Sequence, residues 1–140
     1  MTWSSHNIYA QRYASNGSAM YGELQVNSTT QGDQSYPAVS TLADGGYVVT
    51  WQSNNLDGSG YGIYARRYAS NSSAMGGEFR VNSTTANEQQ YPAVTTLADG
   101  GYVVTWQSYG QDGSDWGIYA QRYTSNGSAV GGEFRVNSST

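Results

Sequence analysis

The sequence predicts an all-β, β-propeller-like chain of four-stranded antiparallel meanders, with about 2.5 blades in its 140 residues. A 55-residue unit recurs along the chain, and each unit holds four short runs rich in β-branched and aromatic residues. No stretch has apolar residues at helical spacing, so essentially no helix is expected. A meander repeated along a chain is typical of propeller blades, in which neighbouring blades cover both faces of each sheet.

The repeat is carried by two motifs and extends over nearly the whole chain. Residues 36–85 match residues 91–140 at 39 of 50 positions. Ile-Tyr-Ala-x-Arg-Tyr begins at Ile8, Ile63 and Ile118, and Tyr-Pro-Ala-Val begins at Tyr36 and Tyr91. The sequence therefore predicts a single repeat array over 1–140, divided into a half unit 1–35, a full unit 36–90 and a full unit 91–140.

The full unit 36–90 shows the predicted elements in order. Strands are expected at 38–42, 47–51, 63–69 and 78–82. The Ala-Asp-Gly-Gly segment at 43–46 is a turn because Asp-Gly and Gly-Gly adopt positive φ at little cost. A polar, glycine-rich loop at 54–62 joins the second and third strands, residues 70–77 form a turn, and residues 84–90 cross to the next unit. The half unit supplies only the third and fourth strands.

The fractional number of units constrains the assembly. Propellers close with four to eight blades, and an open stack leaves blade faces and strand edges unpaired. Two explanations stay open: the chain is a section of a longer array, which a start inside a strand favours, or copies of the chain associate to close or extend the ring. The rival β-trefoil and β-prism folds both need three whole repeats.

Composition excludes several classes of partner. Ten acidic and six basic residues, all of them Arg, give a net charge of −4. Clustered cations for nucleic acid or an anionic membrane surface are missing, and no apolar run approaches the 18 residues of a membrane-spanning helix. The first residues do not form a signal peptide, so any export signal is expected outside this chain. Without Cys, disulfides and thiolate metal sites are excluded.

Three runs of the repeat resemble tandem repeats of very large bacterial secreted and cell-surface proteins. They are Tyr-Pro-Ala-Val-x-Thr-Leu-Ala-Asp-Gly-Gly-Tyr-Val-Val-Thr-Trp-Gln-Ser, Asp-Gly-Ser-x-x-Gly-Ile-Tyr-Ala-x-Arg-Tyr and Gly-Gly-Glu-Phe-Arg-Val-Asn-Ser. Such repeats belong to adhesin-like proteins and often accompany haemolysin-type calcium-binding repeats. The resemblance covers residues 8–140. It implies a secreted or cell-surface, non-catalytic, adhesive module whose partners are copies of itself or adjacent repeats, and it carries no catalytic residues.

Two loops hold the candidate binding residues, in which Tyr61 and Trp116 occupy equivalent positions. An aromatic ring beside Asp and Ser side chains suits a sugar, because the ring covers its C–H face while the polar groups bond its hydroxyls. One shallow site per blade would bind weakly alone and strongly through avidity. A multivalent lectin is therefore the alternative function, with the candidate residues Tyr61, Trp116, Asp57, Asp112, Asp115, Ser59 and Ser114.

The carboxylates of the same loops are candidate calcium ligands, namely Asp57, Asp112 and Asp115. Each loop offers one or two carboxylates and no bidentate Glu at a fixed offset, unlike an EF-hand. The competing interpretation is an Asp that accepts backbone N–H groups in a turn. No other cofactor is expected.

Catalysis is not expected. His6 is the only histidine, no Gly-x-Ser-x-Gly motif is present, and no unique pair of acids marks a glycosidase cleft. A glycosidase-type propeller is the third hypothesis, after the module and the lectin. The remaining polar repeats are given structural roles: cross-strand pairs between Arg12, Arg67, Arg122 and Glu23, Glu78, Glu133, and turn positions for Asn16, Asn27, Asn71, Asn82, Asn126 and Asn137. Trp51 and Trp106 are expected to pack between blades.

Overall fold

The computed structural model describes residues 7–28, 33–54, 60–83, 88–109 and 116–136. Within these ranges the chain is all β, as predicted, and has no helix, so none is long and apolar enough to cross a membrane. The strands are β1 (Tyr9–Tyr13), β2 (Ala19–Gln25), β3 (Gln34–Thr41), β4 (Tyr47–Asn54), β5 (Tyr61–Tyr68), β6 (Ala74–Arg80), β7 (Gln89–Thr96), β8 (Tyr102–Tyr109), β9 (Trp116–Tyr123) and β10 (Ala129–Arg135).

The strands form three antiparallel sheets in meander order. β1 and β2 make a two-stranded sheet, called here the half blade; β3–β4–β5–β6 make blade 2, and β7–β8–β9–β10 make blade 3. Strands β1 and β2 match β5 and β6 by the 55-residue repeat, so the half blade corresponds to the third and fourth strands of a full blade. The predicted four-stranded meander per repeat is confirmed.

Two strands begin earlier than predicted because each contains a bulge. In β3 the register with β4 shifts between Ser35 and Ala38, where Tyr36 adopts a φ of 55° ahead of a proline. In β6 the register with β5 also shifts, and Gly76 there has a φ of 83°. The shift places one extra residue of β3 opposite β4 and two extra residues of β6 opposite β5, as in β-bulges. The glycine pair predicted as part of a turn therefore lies inside a strand.

The turn between β3 and β4 forms as predicted. Asp44 accepts a hydrogen bond from the backbone N–H of Gly46 at 2.9 Å, and Gly45 has a φ of 88°. A Cβ on Gly46 would collide with the carbonyl oxygen of Tyr68, so this position requires glycine. The same carboxylate-to-glycine bond recurs at Asp99 of blade 3.

Each blade has two faces, which pack against different neighbours. The downstream face points toward the next repeat and includes Val48, Ile63, Ala65 and Val81 of blade 2. The upstream face points toward the preceding repeat. One core lies between blades 2 and 3 and contains Leu42, Val48, Ile63, Ala65, Val81, Tyr102, Val104, Trp106, Tyr119 and Tyr123. A second core lies between the half blade and blade 2 and contains Ile8, Val26, Tyr47, Val49, Trp51, Tyr64 and Tyr68.

The burial of the two equivalent central strands differs because their surroundings differ. In β4 every residue from Tyr47 to Ser53 is buried, since the half blade covers one face and blade 3 the other. In β8 burial alternates with a period of two, because among the described residues only its upstream face packs against another sheet. The expectation that covered faces blur the strand alternation is confirmed in blade 2.

Buried polar side chains also join the blades. The Asn82 carboxamide accepts a hydrogen bond from the Ile63 N–H at 2.8 Å and donates one to the Gln89 side chain of blade 3 at 3.1 Å. Asn27 makes the equivalent bonds to Ile8 and Gln34 one repeat earlier. The prediction that these asparagines are turn residues is wrong, since they connect consecutive sheets. It is confirmed at Asn16, Asn71 and Asn126, which accept backbone N–H groups two residues ahead.

Candidate functional site

Most of the residues predicted to bind sugar or calcium lie outside the described ranges. These are Asp57, Ser59, Asp112, Ser114 and Asp115. His6, which was not predicted to bind sugar or calcium, also lies outside the described ranges. Tyr61 and Trp116 are described, and each is the first residue of a strand, β5 and β9, rather than a loop residue. They are placed there because their backbones pair with Asn54 and Tyr109 at the ends of β4 and β8.

The two equivalent aromatic positions have different surroundings. The Trp116 side chain is 40% exposed, and its ring meets Tyr109 edge to face with centroids 5.1 Å apart. Tyr61 faces Asn54 instead of an aromatic residue and is only partly exposed. The ring surface of Trp116 is therefore available to a ligand, supported from one side by Tyr109.

A second aromatic group, not predicted as a site, lies where blades 2 and 3 meet. It is called here the tyrosine cluster and consists of Tyr36, Tyr61 and Tyr91. The rings of Tyr36 and Tyr91 are both about half exposed and meet edge to face, with centroids 4.9 Å apart. Tyr36, Tyr61, Asp33 and Ser35 line a shallow pocket of about 330 Å³. Aromatic faces beside carboxylate and hydroxyl groups form a surface suited to a polar ligand with apolar C–H faces.

The backbone of the tyrosine cluster is held in an uncommon conformation. Tyr36 and Tyr91 have φ values of 55° and 58°, a region that residues other than glycine seldom occupy. The backbone N–H of Tyr91 donates to the Gln52 side chain of blade 2 at 2.9 Å, which helps to fix the turn of the chain. Because the same conformation recurs one repeat apart, the two tyrosines lie at equivalent positions of consecutive blades, and their rings contact each other edge to face.

Electrostatics link the cluster to two equivalent acids. Burial raises the pKa of Tyr61, and the charges of Asp33 and Glu88 raise it further. The pKa of Tyr91 is raised by its neighbour Tyr36. Tyr61 and Tyr91 therefore stay neutral at physiological pH and can donate hydrogen bonds from their hydroxyls.

Within the described ranges, no group of three or more His, Cys, Asp or Glu side chains is placed to hold a metal ion. The predicted calcium ligands lie outside those ranges, so calcium binding stays a prediction.

The downstream face of blade 3 differs in burial from the equivalent face of blade 2. Ile118 is 40% exposed, whereas its equivalent Ile63 is 0% exposed beneath blade 3. Phe134 and Val136 are exposed as well, although Val81, which is the equivalent of Val136, is buried. On this face Ile118 and Val136 are thus exposed, whereas blade 2 buries the equivalent Ile63 and Val81 between blades.

The arginines are part of the same interface, which corrects the predicted Arg–Glu pairs. Arg67 lies opposite Met75 and its guanidinium reaches blade 3, where it donates to the carbonyl oxygens of Ser125 and Asn126 at 3.0 and 3.1 Å. Glu78 accepts the Ser28 N–H of the half blade at 2.8 Å. Arginine and glutamate of one repeat therefore point to opposite neighbours, because their side chains leave opposite faces of the sheet.

Sequence reasoning missed the tyrosine cluster, although one signal was available. The recurrence of Tyr36-Pro37 at Tyr91-Pro92 marks a repeated break at the start of each first strand. The contact between two such tyrosines depends on first strands of consecutive blades lying side by side, which only the packing of the blades establishes.

Two four-stranded meanders and the two-stranded half blade, stacked face to face, define a propeller-type repeat array. No family model and no curated protein matches the sequence. Among solved structures, the chain is similar to an endo-arabinase from Bacteroides thetaiotaomicron VPI-5482, with a TM-score of 0.57 at 14% sequence identity. The similarity covers 89% of this chain and 50% of that one, so the chain spans about half the length of the enzyme. At this identity the similarity shows the fold, which is β-propeller-like.

Proposed function

We propose that the chain is a non-catalytic structural and adhesive repeat module of a secreted or cell-surface bacterial protein, and that blade-to-blade packing is its principal interaction. One observation carries this proposal: Ile118 and Val136 are exposed on the downstream face of blade 3, whereas their equivalents Ile63 and Val81 are buried between blades 2 and 3. An exposed apolar surface of this kind marks an interaction site. Its partner is either an adjacent repeat of a longer chain or a second copy.

The half blade offers the complementary surface. Tyr13 is 62% exposed on its upstream side, whereas the equivalent Tyr68 is 2% exposed under the half blade. Inside the array the ring of Phe79 meets Tyr123 edge to face at 5.6 Å. Phe134 and Tyr13 are the equivalents of that pair, so the downstream face of one copy fits the upstream side of another. Such a head-to-tail contact produces rings or open filaments.

Solution mass tests this proposal. The chain should show a mass that rises with concentration in sedimentation equilibrium. Ile118→Glu and Tyr13→Glu should each reduce it to one chain, because each places a charge in one of the two surfaces. Mixing the two variants should give a complex of two chains, since each keeps one intact surface. Ser15→Glu, in an exposed turn, is the charge-matched control. A mass of one chain at every concentration would refute self-association.

Glycan binding is the second candidate function, and the tyrosine cluster favours it. A glycan array followed by calorimetric titration tests the lectin. Tyr91→Ala should abolish a response that depends on the cluster, whereas Trp116→Ala should abolish one that depends on the predicted loop site with Asp57, Asp112, Asp115, Ser59 and Ser114. No response on the array at high protein concentration would refute glycan binding both at the tyrosine cluster and at the predicted loop site.

The non-catalytic character has its own test. Because the similar solved structure is an endo-arabinase, arabinan is the substrate to try first. We expect no new reducing ends from arabinan. Release that is lost in Asp33→Asn or Glu88→Gln would overturn the proposal and establish a hydrolase.

Calcium binding at Asp57, Asp112 and Asp115 is a further proposal. Calcium that binds only the folded chain raises its melting temperature. A shift with calcium that is lost in Asp112→Asn would support the site, whereas an unchanged melting temperature would remove it.

A further inference from the structure

A groove lies between the half blade and blade 2, on the side of β1 away from β2. It has a volume of about 460 Å³, and its lining includes Tyr9, Tyr13, Val39, Tyr47 and Val49. Val39 is 63% exposed, although the equivalent Val94 of blade 3 packs against the core between blades 2 and 3. At this position the repeat therefore holds a valine that is partly buried in blade 3 and exposed in blade 2.

The repeat shows which element occupies the equivalent space between blades 2 and 3, one unit further along the chain. There β5, the counterpart of β1, pairs with β4 over its full length, from Tyr61 opposite Asn54 to Tyr68 opposite Tyr47. Strand β3 continues that sheet, and β7 packs against both β3 and β4. The equivalent space is thus occupied by the β3–β4 hairpin. Among the described residues, β1 pairs with β2 alone.

Aromatic stacking identifies a specific anchor in this space. Tyr47 and Tyr68 stack with centroids 5.0 Å apart, and Tyr102 and Tyr123 stack at 4.9 Å. In both blades the second-strand tyrosine covers the third-strand tyrosine of the same sheet. Tyr13 occupies the third-strand position of the half blade and is exposed. A hairpin beside β1 would supply the missing ring.

We propose that this groove binds a β-hairpin with the sequence pattern of residues 34–54, that is, the first two strands of a repeat. Its second strand adds in antiparallel register to the edge of β1 with which no described strand pairs, as in other cases of strand addition. Its Tyr47-equivalent stacks on Tyr13, and its Val48-equivalent, which in blade 2 lies in the core with Val94 nearby, packs on Val39. The inference rests on the proposed packing module and specifies the partner of one of its surfaces.

A synthetic peptide of residues 34–54 is the probe, titrated into the full chain. Hydrogen exchange at the β1 amides should slow on binding, because strand addition protects edge N–H groups. Val39→Asp should weaken binding about tenfold or more, since it buries an unpaired charge. Tyr21→Ala removes an exposed tyrosine that does not line the groove, and should leave binding unchanged. A peptide of the same composition in scrambled order is the second control.

A covalent version keeps the inference testable if the free peptide aggregates. Residues 34–62 are placed directly before Ile8, so that the hairpin and its loop precede β1 as they precede β5. The extended chain should unfold at a higher urea concentration than the parent, and Val39→Asp should lower this midpoint in the extended chain only. Equal effects of Val39→Asp in both chains, or unchanged β1 exchange with saturating peptide, would overturn the inference.

Failure here is distinguishable from failure of the proposed function. Ile118→Glu disables the downstream face of blade 3 and leaves the groove intact. At concentrations below those at which the parent associates, this variant should bind the hairpin as the parent does, even though it does not self-associate at higher concentrations. A chain that self-associates but does not bind the hairpin peptide would refute the groove proposal and leave the proposed function intact.

Discussion

One isoleucine occurs in all three repeats, and its replacement by alanine gives three different predicted costs. Ile8 and Ile63 are buried at the two formed blade junctions, whereas Ile118 is 40% exposed on the downstream face of blade 3. The substitution removes three carbons. At about 0.8 kcal/mol for each buried carbon plus a cavity contribution, Ile63→Ala should cost about 3 to 4 kcal/mol in unfolding free energy. Ile8→Ala should cost about 3 kcal/mol for the same reason.

The same change in blade 3 should cost much less. Ile118→Ala loses a side chain that is already partly hydrated and opens no closed cavity, so we expect about 1 kcal/mol. The difference between Ile63 and Ile118 isolates the contribution of a neighbouring blade, because the two residues share nearly identical local sequence.

Urea unfolding at low micromolar concentration measures all three variants. Coincident transitions by circular dichroism and tryptophan fluorescence establish the two-state unfolding that the comparison requires. Repeating the series at a tenfold higher concentration adds a second readout, since association stabilises the folded chain by mass action. An Ile118→Ala cost equal to that of Ile63→Ala in a chain shown to be monomeric would refute the assignment of the downstream face as open.

Three further predictions concern polar groups between the blades. Asn82→Ala should cost about 2 kcal/mol in urea unfolding, because the buried Ile63 N–H loses its acceptor, whereas Asn71→Ala in an exposed turn should cost within about 0.5 kcal/mol. Arg67→Ala should lower the free energy of unfolding in urea by about 2 kcal/mol, because its two hydrogen bonds to blade 3 are lost. The same change at Arg122, its exposed equivalent in blade 3, should leave that free energy almost unchanged. Burial raises the pKa of Tyr102 to about 12, so its proton is held more tightly in the folded chain, and the stability present below pH 10 should fall as the pH rises toward 12. Tyr102→Phe removes a buried hydroxyl that has no hydrogen-bond partner among the described residues, and should reduce that alkaline loss in melting curves. Tyr47→Phe should instead lose the hydrogen bond between the Tyr47 and Ser72 hydroxyls.

The meander could be predicted because each of its signals is local. Tyr47–Trp51 is rich in β-branched and aromatic residues, and the Asp44 turn needs only the chemistry of Asp and Gly. Both operate within one hairpin, so the sequence contains all the information they need. The burial of Trp51 and Trp106 followed from the same pattern once blades were expected to cover both faces.

The contacts between blades could not be predicted in the same way. Asn-Ser-Thr at Asn82 has the composition of a turn, yet its side chain bridges two sheets, and this depends on the position of Gln89 in the next blade. Arg67 and Glu78 looked like cross-strand partners, but the bulge in β6 shifts the register and places Met75 opposite the arginine. Each error arose from a partner in another repeat or from extra residues at a bulge in a strand.

The groove and the upstream side of the half blade are two parts of one junction, and this makes their occupancy cooperative. In blade 2 the upstream face combines Tyr64 and Tyr68 of the third strand with Tyr47, Val49 and Trp51 of the second. The half blade supplies only Tyr9 and Tyr13, the equivalents of Tyr64 and Tyr68. A docked hairpin would add the equivalents of Tyr47, Val49 and Trp51 beside them and so enlarge the surface offered to a downstream face. Hairpin binding should therefore tighten self-association, and association should tighten hairpin binding by the same factor. Sedimentation with and without the peptide of residues 34–54 measures this coupling, and a peptide that instead dissociates the assembly would show that the two partners compete for one surface.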